Sequence, residues 1–343
     1  MAFLHYYIHG RGHGHATRSL PIISALRKAG HQVRSFAGED AVPLMTAESE
    51  PITSLRPCHG AHLLPLFIRR VSQAIRRIRR DGTRLVVSDG DLPGILAANL
   101  TGRPSVTVGH SEIFSHCRRP AGVPRWPWLR EGLRAWVSSP SASRYVAVSF
   151  LPLEARSRRV VVAGPVVERP LSGAVTSRVV CYFRDENGSA PLQTLVDLGE
   201  SPVVFTQRET PEIPSGVEIR PFDRKDFLIH LSSARAVVAS AGSQLMSECL
   251  ALGIPLFALH ADHDDEQRLN VALLRASQLG DGTSFNHFSP TKFRTFLERR
   301  YHTPLNPETG DGAGERAVTA VKSHPDAATA VVEQVKILLE RHS

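Results

Sequence analysis

The sequence predicts an α/β protein built from two doubly wound domains with mainly parallel sheets. Three observations carry this. The chain has 343 residues, too many for one ordinary core and suited to two domains of roughly 150 residues each. Short runs rich in Val and Ile, without polar alternation, recur along it, the pattern of strands buried on both faces. Segments with helical apolar spacing separate these runs, which implies β-α-β crossovers.

The first series of strands is expected at Phe3–Ile8, Arg84–Ser88, Ser105–Val108, Tyr145–Val148 and Val160–Ala163. The second is expected at Val179–Phe183, Val203–Thr206, Val217–Arg220, Ala236–Ala239 and Ile254–Leu259. Between the series, Gly164-Pro165 to Leu171-Ser172-Gly173 is rich in Pro and Gly and lacks periodicity, as interdomain linkers do. The expected division is an N-terminal domain over 1–165, a linker over 166–175 and a C-terminal domain over 176–343 that ends in a helix. Helix punctuation agrees with this layout. Ser19–Ala29 has Pro21 in its expected first turn and Gly30 after its end, and Ser243–Leu252 stops at Gly253, following the proline-at-start, glycine-at-end asymmetry. Asp264-Asp265-Glu266 load acid onto the start of another helix, where it complements the dipole. The terminal helix is expected from Pro325 to Glu340.

Hydrophobic residues make up 42% and charged residues 22%, which excludes a disordered or fibrous chain. The net charge of +8 comes mostly from arginine and favours an anionic ligand or surface. No apolar run approaches the length of a membrane span, and the first residues read as a strand rather than a signal peptide. Cys58, Cys117, Cys181 and Cys249 are scattered, against a disulfide framework or zinc ribbon, so a reducing cytoplasm fits. The helical stretch Leu63–Arg80 puts Arg69, Arg70, Arg76, Arg77, Arg79 and Arg80 largely opposite an apolar stripe. A solvated amphipathic helix explains that face, and contact with a membrane or an acidic acceptor is the sharper alternative. No nucleic-acid motif accompanies these arginines.

The segment His9-Gly10-Arg11-Gly12-His13-Gly14-His15-Ala16-Thr17-Arg18 follows a strand and opens a helix. Glycines there let backbone N–H groups approach an anion. The spacing is neither that of a P-loop nor that of a dinucleotide fingerprint, and a plain strand-to-helix turn is the alternative. In the second half, Ala241-Gly242-Ser243-Gln244 again lies between a strand and a helix. Its N–H groups and the Ser243 hydroxyl can cradle an anion; an ordinary N-cap is the alternative. Asp89 and Asp91 follow a first-series strand, so Asp89 lies on the ligand side of a doubly wound sheet unless it simply caps the helix Leu92–Leu100. His260 to Glu266 is acidic and resembles a metal cluster at first sight, but it reads better as a polar loop without a metal.

Two sets of residues carry a family resemblance. Gly12-His13-Gly14-His15, followed by Gly30-His31-Gln32-Val33, resembles the opening of the GT-B glycosyltransferases, and most closely the branch containing MurG. Phe222 to Phe227, Ala239-Ser240-Ala241-Gly242-Ser243, Ser247-Glu248, Leu252-Gly253-Ile254-Pro255 and Glu266-Gln267 with Asn270 occur in that family's order. The likeness covers most of the chain and is weakest over 110–140. It implies two Rossmann-like domains facing across a cleft, with acceptor bound by the first and donor by the second.

The implied reaction is transfer of a sugar from a nucleotide sugar, a UDP-sugar by resemblance, to an acceptor hydroxyl, with inversion and without a metal or other cofactor. His15 is the candidate base, with Asp89 either orienting it or acting as base itself. Gly14 and Arg18 are expected to support the donor's pyrophosphate beside Gly242, Ser243 and Gln244. Glu248 resembles the family's ribose-binding carboxylate, Phe222 the residue packed on the base, and Glu266 and Gln267 the pair on the donor sugar, with Asn270 bracing their loop. His110, Trp126 and Trp128 are weaker acceptor-side candidates. Expected partners are the nucleotide sugar, a small-molecule or lipid-linked acceptor and a peripheral membrane surface at the inner face, not nucleic acid. The alternatives are a UDP-sugar 2-epimerase of the same fold and a non-catalytic nucleotide-sugar-binding subunit.

Overall fold

The computed structural model describes residues 1–10, 13–39, 41–48, 50–56, 63–167, 176–184, 188–206, 213–302, 319, 321 and 323–342. The expected linker over 166–175 lies largely outside them. The described chain forms two compact units, one of Met1–Arg119, Leu129–Val166 and His324–Ser343, the other of Pro120–Trp128 and Val167–Ser323.

The first unit holds a seven-stranded sheet in the order β3-β2-β1-β4-β5-β6-β7. The strands are β1 (Phe3–Ile8), β2 (Gln32–Gly38), β3 (Ile52–Leu55), β4 (Leu85–Asp89), β5 (Ser105–Gly109), β6 (Arg144–Val148) and β7 (Val160–Ala163). Every neighbouring pair is parallel. The crossovers carry α1 (His13–Lys28), α2 (Ala41–Ala47), α3 (Leu63–Arg80), α4 (Leu92–Leu100), α5 (Glu112–His116) and α6 (Arg125–Ser138), whose turn before Leu129 falls in the second unit. Strands β4 and β5 are buried along their whole length, as unbroken apolar runs require.

The second unit repeats the plan with six parallel strands in the order β10-β9-β8-β11-β12-β13. These are β8 (Val179–Tyr182), β9 (Pro202–Thr206), β10 (Glu218–Pro221), β11 (Ala236–Ser240), β12 (Leu256–His260) and β13 (Asp281–Ser284). Its helices are α7 (Ser189–Asp197), α8 (Arg224–Ser232), α9 (Ser243–Leu252), α10 (Asp265–Ala276) and α11 (Pro290–His302). A phenylalanine cluster of Phe257, Phe293 and Phe296 fills the core on one face.

Three features differ from the sequence reading. Strands β2, β3 and β13 were not legible as apolar runs. β2 buries Ser35, whose hydroxyl donates to Glu50 Oε1 (2.8 Å), and Arg27 neutralises that carboxylate with bonds of 2.6 and 2.8 Å. β13 contains no apolar residue. Second, α1 begins at His13 rather than Ser19. Gly14 and His15 therefore lie in its first turn, and Pro21 lies inside the helix, where its ring removes one intrahelical bond. Third, the terminal helix α12 (Ala327–Arg341) belongs to the first unit rather than to the C-terminal one. Its stripe of Ala327, Ala330, Val331, Val335 and Leu338 shares one apolar cluster with Ile22, Ile23 and Leu26 of α1. Gly164 donates to the Pro325 carbonyl and accepts from Ala327 N–H, fixing the helix start. Asp326 is the N-cap, accepting from Ala328 and Thr329 N–H, so Pro325 lies outside the first turn.

One buried group of the first unit gives stability a pH dependence. His5 is fully buried on β1, and its Nε2 lies 3.0 Å from Asp81 Oδ2. Burial pushes the imidazole down from 6.5 to about 4, outweighing the opposing pull of Asp81. The folded state therefore binds this proton less readily than the unfolded chain. Stability from a neutral His5 is complete above pH 6.5 and is lost as pH falls toward 4, by about 3 kcal/mol. Urea unfolding of wild type and His5→Gln at pH 7 and pH 4.5 checks this. The wild type should lose about 2–3 kcal/mol more than the variant, and equal losses would contradict it.

Candidate active site

In the first sheet the chain order reverses between β1 and β4, and ligands of open α/β sheets bind beyond the carboxyl ends of strands at such a switch point. The residues that end these two strands meet there. His9 N–H donates to the Asp89 carbonyl at 2.8 Å. From the first turns of α1, His15 Nδ1 lies 2.7 Å from Asp89 Oδ1. Arg18 grips the same carboxylate with both arms, Nη2 to Oδ1 at 2.6 Å and Nε to Oδ2 at 3.0 Å. Ser19 Oγ donates to Oδ2 at 3.2 Å.

Asp89 is completely buried and Arg18 is 4% exposed. Burial alone would raise the Asp89 carboxyl, but the Arg18 charge, the His15 ring and their hydrogen bonds hold it down at about 2. The carboxylate is ionised at neutral pH and accepts only. His15 Nδ1 therefore carries a proton, and in the neutral ring the lone pair lies on Nε2. This is an imidazole whose tautomer is set by a buried carboxylate, with the ring 29% exposed. Both Asp89 oxygens are engaged, one by His15 and Arg18 and the other by Arg18 and Ser19. Gly90 closes the arrangement at φ +73°. A Cβ there would lie 3.2 Å from His9 Cβ and 3.3 Å from His15 Cε1, so only glycine fits against the ring.

Asp91, two residues on, turns away. It is the N-cap of α4, accepting from Gly94 N–H at 2.8 Å, and Arg70 donates to its second oxygen. Among the described residues no group of three His, Cys, Asp or Glu is placed to hold a metal ion. His110 is buried, donating Nδ1–H to the Val148 carbonyl at 2.9 Å and stacked on Phe150. Trp128 is 1% exposed, so its ring anchors α6 and offers no face to an acceptor. Trp126, two residues earlier, is 73% exposed.

The second sheet has its own switch point between β8 and β11. β11 leads through Ala241 and Gly242 into α9. Gly242 is the N-cap in extended conformation and supplies no side-chain cap, so first-turn N–H groups of Ser243 and its neighbours point toward the loop, where an anion is favoured. Asn270 is fully buried and donates Nδ2–H to the Ala241 carbonyl at 2.9 Å. Gln267 is 5% exposed, with its N–H on Asp264 Oδ1 and its Oε1 3.4 Å from Ala261 N. It braces the loop it stands in, whereas Glu266 is partly exposed. His260, Asp262, Arg268, Thr283, Ser284 and His287 line a cleft of about 330 Å³ beyond β12 and β13.

Glu248, one turn into α9, is 1% exposed. Arg224 Nη2 and Nη1 reach Glu248 Oε1 and Oε2 at 2.7 and 3.1 Å, and Gln244 Nε2 donates to Oε1 at 2.9 Å. Phe222 is half-buried, with its ring 5.2 Å from Tyr182 and 5.5 Å from Phe227. Arg224, Tyr182 and Ser19 were missed in the sequence. Arg224 stands inside the Phe222–Phe227 segment, and its charge against an interior Glu248 was the available signal. Nothing local marked Tyr182 or Ser19.

Two doubly wound parallel sheets, each with polar residues gathered at its switch point, match the architecture of GT-B glycosyltransferases. A model of glycosyl transferase family 1 matches residues 62–300, and the chain belongs to that family. No curated protein matches it. Among solved structures, the glycosyltransferase SnogD from Streptomyces nogalater is similar at 18% identity and TM-score 0.68, covering 98% of this chain and 100% of its own. SsfS6 from Streptomyces sp. SF2575, complexed with thymidine diphosphate, matches at 16% identity and TM-score 0.66, with coverage of 98% and 99%. MurG from Acinetobacter baumannii matches at 17% identity and TM-score 0.62, again with 98% and 99% covered. At these identities the likeness shows the fold.

Proposed function

We propose that this glycosyltransferase moves a sugar from a nucleoside diphosphate sugar to an acceptor hydroxyl in one inverting, metal-independent displacement. The observation that carries the reading is His15 on the ionised, buried Asp89. His15 Nε2 takes the proton of the acceptor hydroxyl as its oxygen bonds to the anomeric carbon. The bond from that carbon to the phosphate oxygen breaks, and the electron pair leaves with the diphosphate. Single displacement from the opposite face inverts the carbon. The start of α9 supports the negative charge that develops on the leaving group. Phe222 and Tyr182 offer a platform for the base, and Glu248 an acceptor for the nucleotide's sugar. Calorimetric titration with nucleoside diphosphates tests the donor half. One nucleotide should bind in chelator as it does with magnesium, and Glu248→Ala should weaken it about tenfold or more; a magnesium requirement would oppose the metal-independent reading.

On the acceptor side, α6 favours a membrane surface. Trp126, Leu129, Leu133, Trp136 and Val137 are all exposed. At 100° per residue they occupy one arc of the helix, while Trp128, Glu131 and Ala135 are buried on the other side. Arg125, Arg130 and Arg134 flank the apolar arc, an arrangement suited to an anionic bilayer and to an acceptor held there. No described helix is long and apolar enough to cross a membrane. The protein should co-sediment with phosphatidylglycerol vesicles and not with phosphatidylcholine, and Trp136→Asp should reduce binding about tenfold. Equal recovery with both lipids would contradict charge-assisted docking.

A further inference from the structure

We infer that His9 is a positioning residue for His15, holding that imidazole in the one plane that aims Nε2 at the acceptor hydroxyl. The inference rests on the reading of His15 as base and deepens it. A base works only when its ring is held close to the productive geometry, and a single hydrogen bond leaves a hinge. Asp89 Oδ1 lies 2.7 Å from His15 Nδ1, and rotation about that bond swings Nε2 through an arc. Arg18 Nη2 is 3.2 Å from the same Nδ1. Beside an ionised Asp89 that contact sets a guanidinium N–H against an imidazole N–H, donor against donor, and adds no second hold. Among the described residues no hydrogen bond reaches the Nε2 end.

The second hold is a ring contact. His9 and His15 meet edge to face, with centroids 5.5 Å apart and planes at 76°, a favoured arrangement for aromatic pairs. His9 is itself fixed by the residue that orients His15, since its N–H donates to the Asp89 carbonyl at 2.8 Å. The chain after it is pressed against the end of β2, because a Cβ on Gly10 would fall 2.3 Å from the Gly38 carbonyl carbon and 2.7 Å from Glu39 N. Gly90 bears on both histidines, at His9 Cβ and at His15 Cε1. His9, Gly90 and His15 thus pack as one group at the carboxyl ends of β1 and β4. Asp89 sets the tautomer, and this group blocks the hinge. The His9 side chain is exposed, so its contact serves the neighbouring ring rather than the core.

A double-variant cycle on the full chain tests the assignment. Turnover is read as diphosphate released from UDP-glucose and from dTDP-glucose, with water as acceptor. His9→Ala should lower turnover about tenfold, the upper scale of one aromatic contact, while nucleoside diphosphate affinity stays within about twofold of wild type. His9→Phe keeps a ring without its nitrogens and should remain within about threefold of wild type. In the His15→Ala background, His9→Ala should cost less than about twofold, since no base is left to position. Wild-type turnover in His9→Ala would overturn the inference and leave the base in place. So would an equal loss in His9→Phe, or a further tenfold loss in the double variant, which would mean that His9 acts on the substrate itself. Wild type no faster than His15→Ala would overturn the base reading, and the inference with it.

Discussion

Replacing His15 with alanine is expected to lower turnover by about 10²–10⁴-fold, the usual contribution of a positioned general base. Turnover is read as nucleoside diphosphate released from the nucleotide sugar. Nucleotide affinity should stay within about twofold of wild type, because the nucleotide contacts assigned above all come from Phe222, Tyr182, Glu248 and the start of α9. The fold should also tolerate the change. The ring is 29% exposed, and Asp89 retains three donors from Arg18 and Ser19. A loss confined to turnover separates a base from a residue that merely holds the loop. Unchanged turnover would remove His15 from the chemistry.

The second large effect is expected at Asp89→Asn. It acts on two levels. Arg18 is 4% exposed and its charge is balanced by Asp89, so the neutral side chain strands a buried cation, at a cost of about 3–5 kcal/mol. The amide also presents an N–H to His15, which favours the wrong tautomer and removes the lone pair from Nε2. Turnover should fall as far as in His15→Ala, and chemical unfolding should show the stability loss that His15→Ala lacks. The double variant should be no slower than the worse single one, since the two residues act as a unit. Additive losses would mean that Asp89 serves the reaction by a separate route.

Much of this arrangement was readable from the chain. Unbroken apolar runs such as Leu85–Val87 and Val237–Ala239 mark buried parallel strands because burial on both faces leaves no room for polar alternation. The glycine segment before His15 and the Gly242-Ser243 turn were readable because strand-to-helix turns at a switch point demand small residues. What escaped notice depended on partners distant in sequence. β2 hides its strand character because Ser35 and Arg34 are polar, and only the carboxylates of Glu50 and Asp81 make them tolerable there. α1 runs longer than its sequence suggests because Gly14 and Pro21 are poor helix formers, and its apolar face is held by α12 from the far end of the chain. The same long-range contact moved α12 out of the second unit. In the site, His15 and Glu248 stood out by motif, but their states did not. That Asp89 is ionised and that Glu248 is nearly saturated follow from Arg18 and Arg224, whose roles only the three-dimensional contacts disclose.

The central claim is a division of labour, with proton transfer at His15 and nucleotide binding at the Gly242–Glu248 segment. Equilibrium titration of the tightest nucleoside diphosphate into wild type, His15→Ala and Glu248→Ala tests it most directly. The expected result is unchanged affinity for His15→Ala and a loss of about tenfold or more for Glu248→Ala. Equal affinity in all three proteins, or a loss at His15→Ala as large as that at Glu248→Ala, would contradict it.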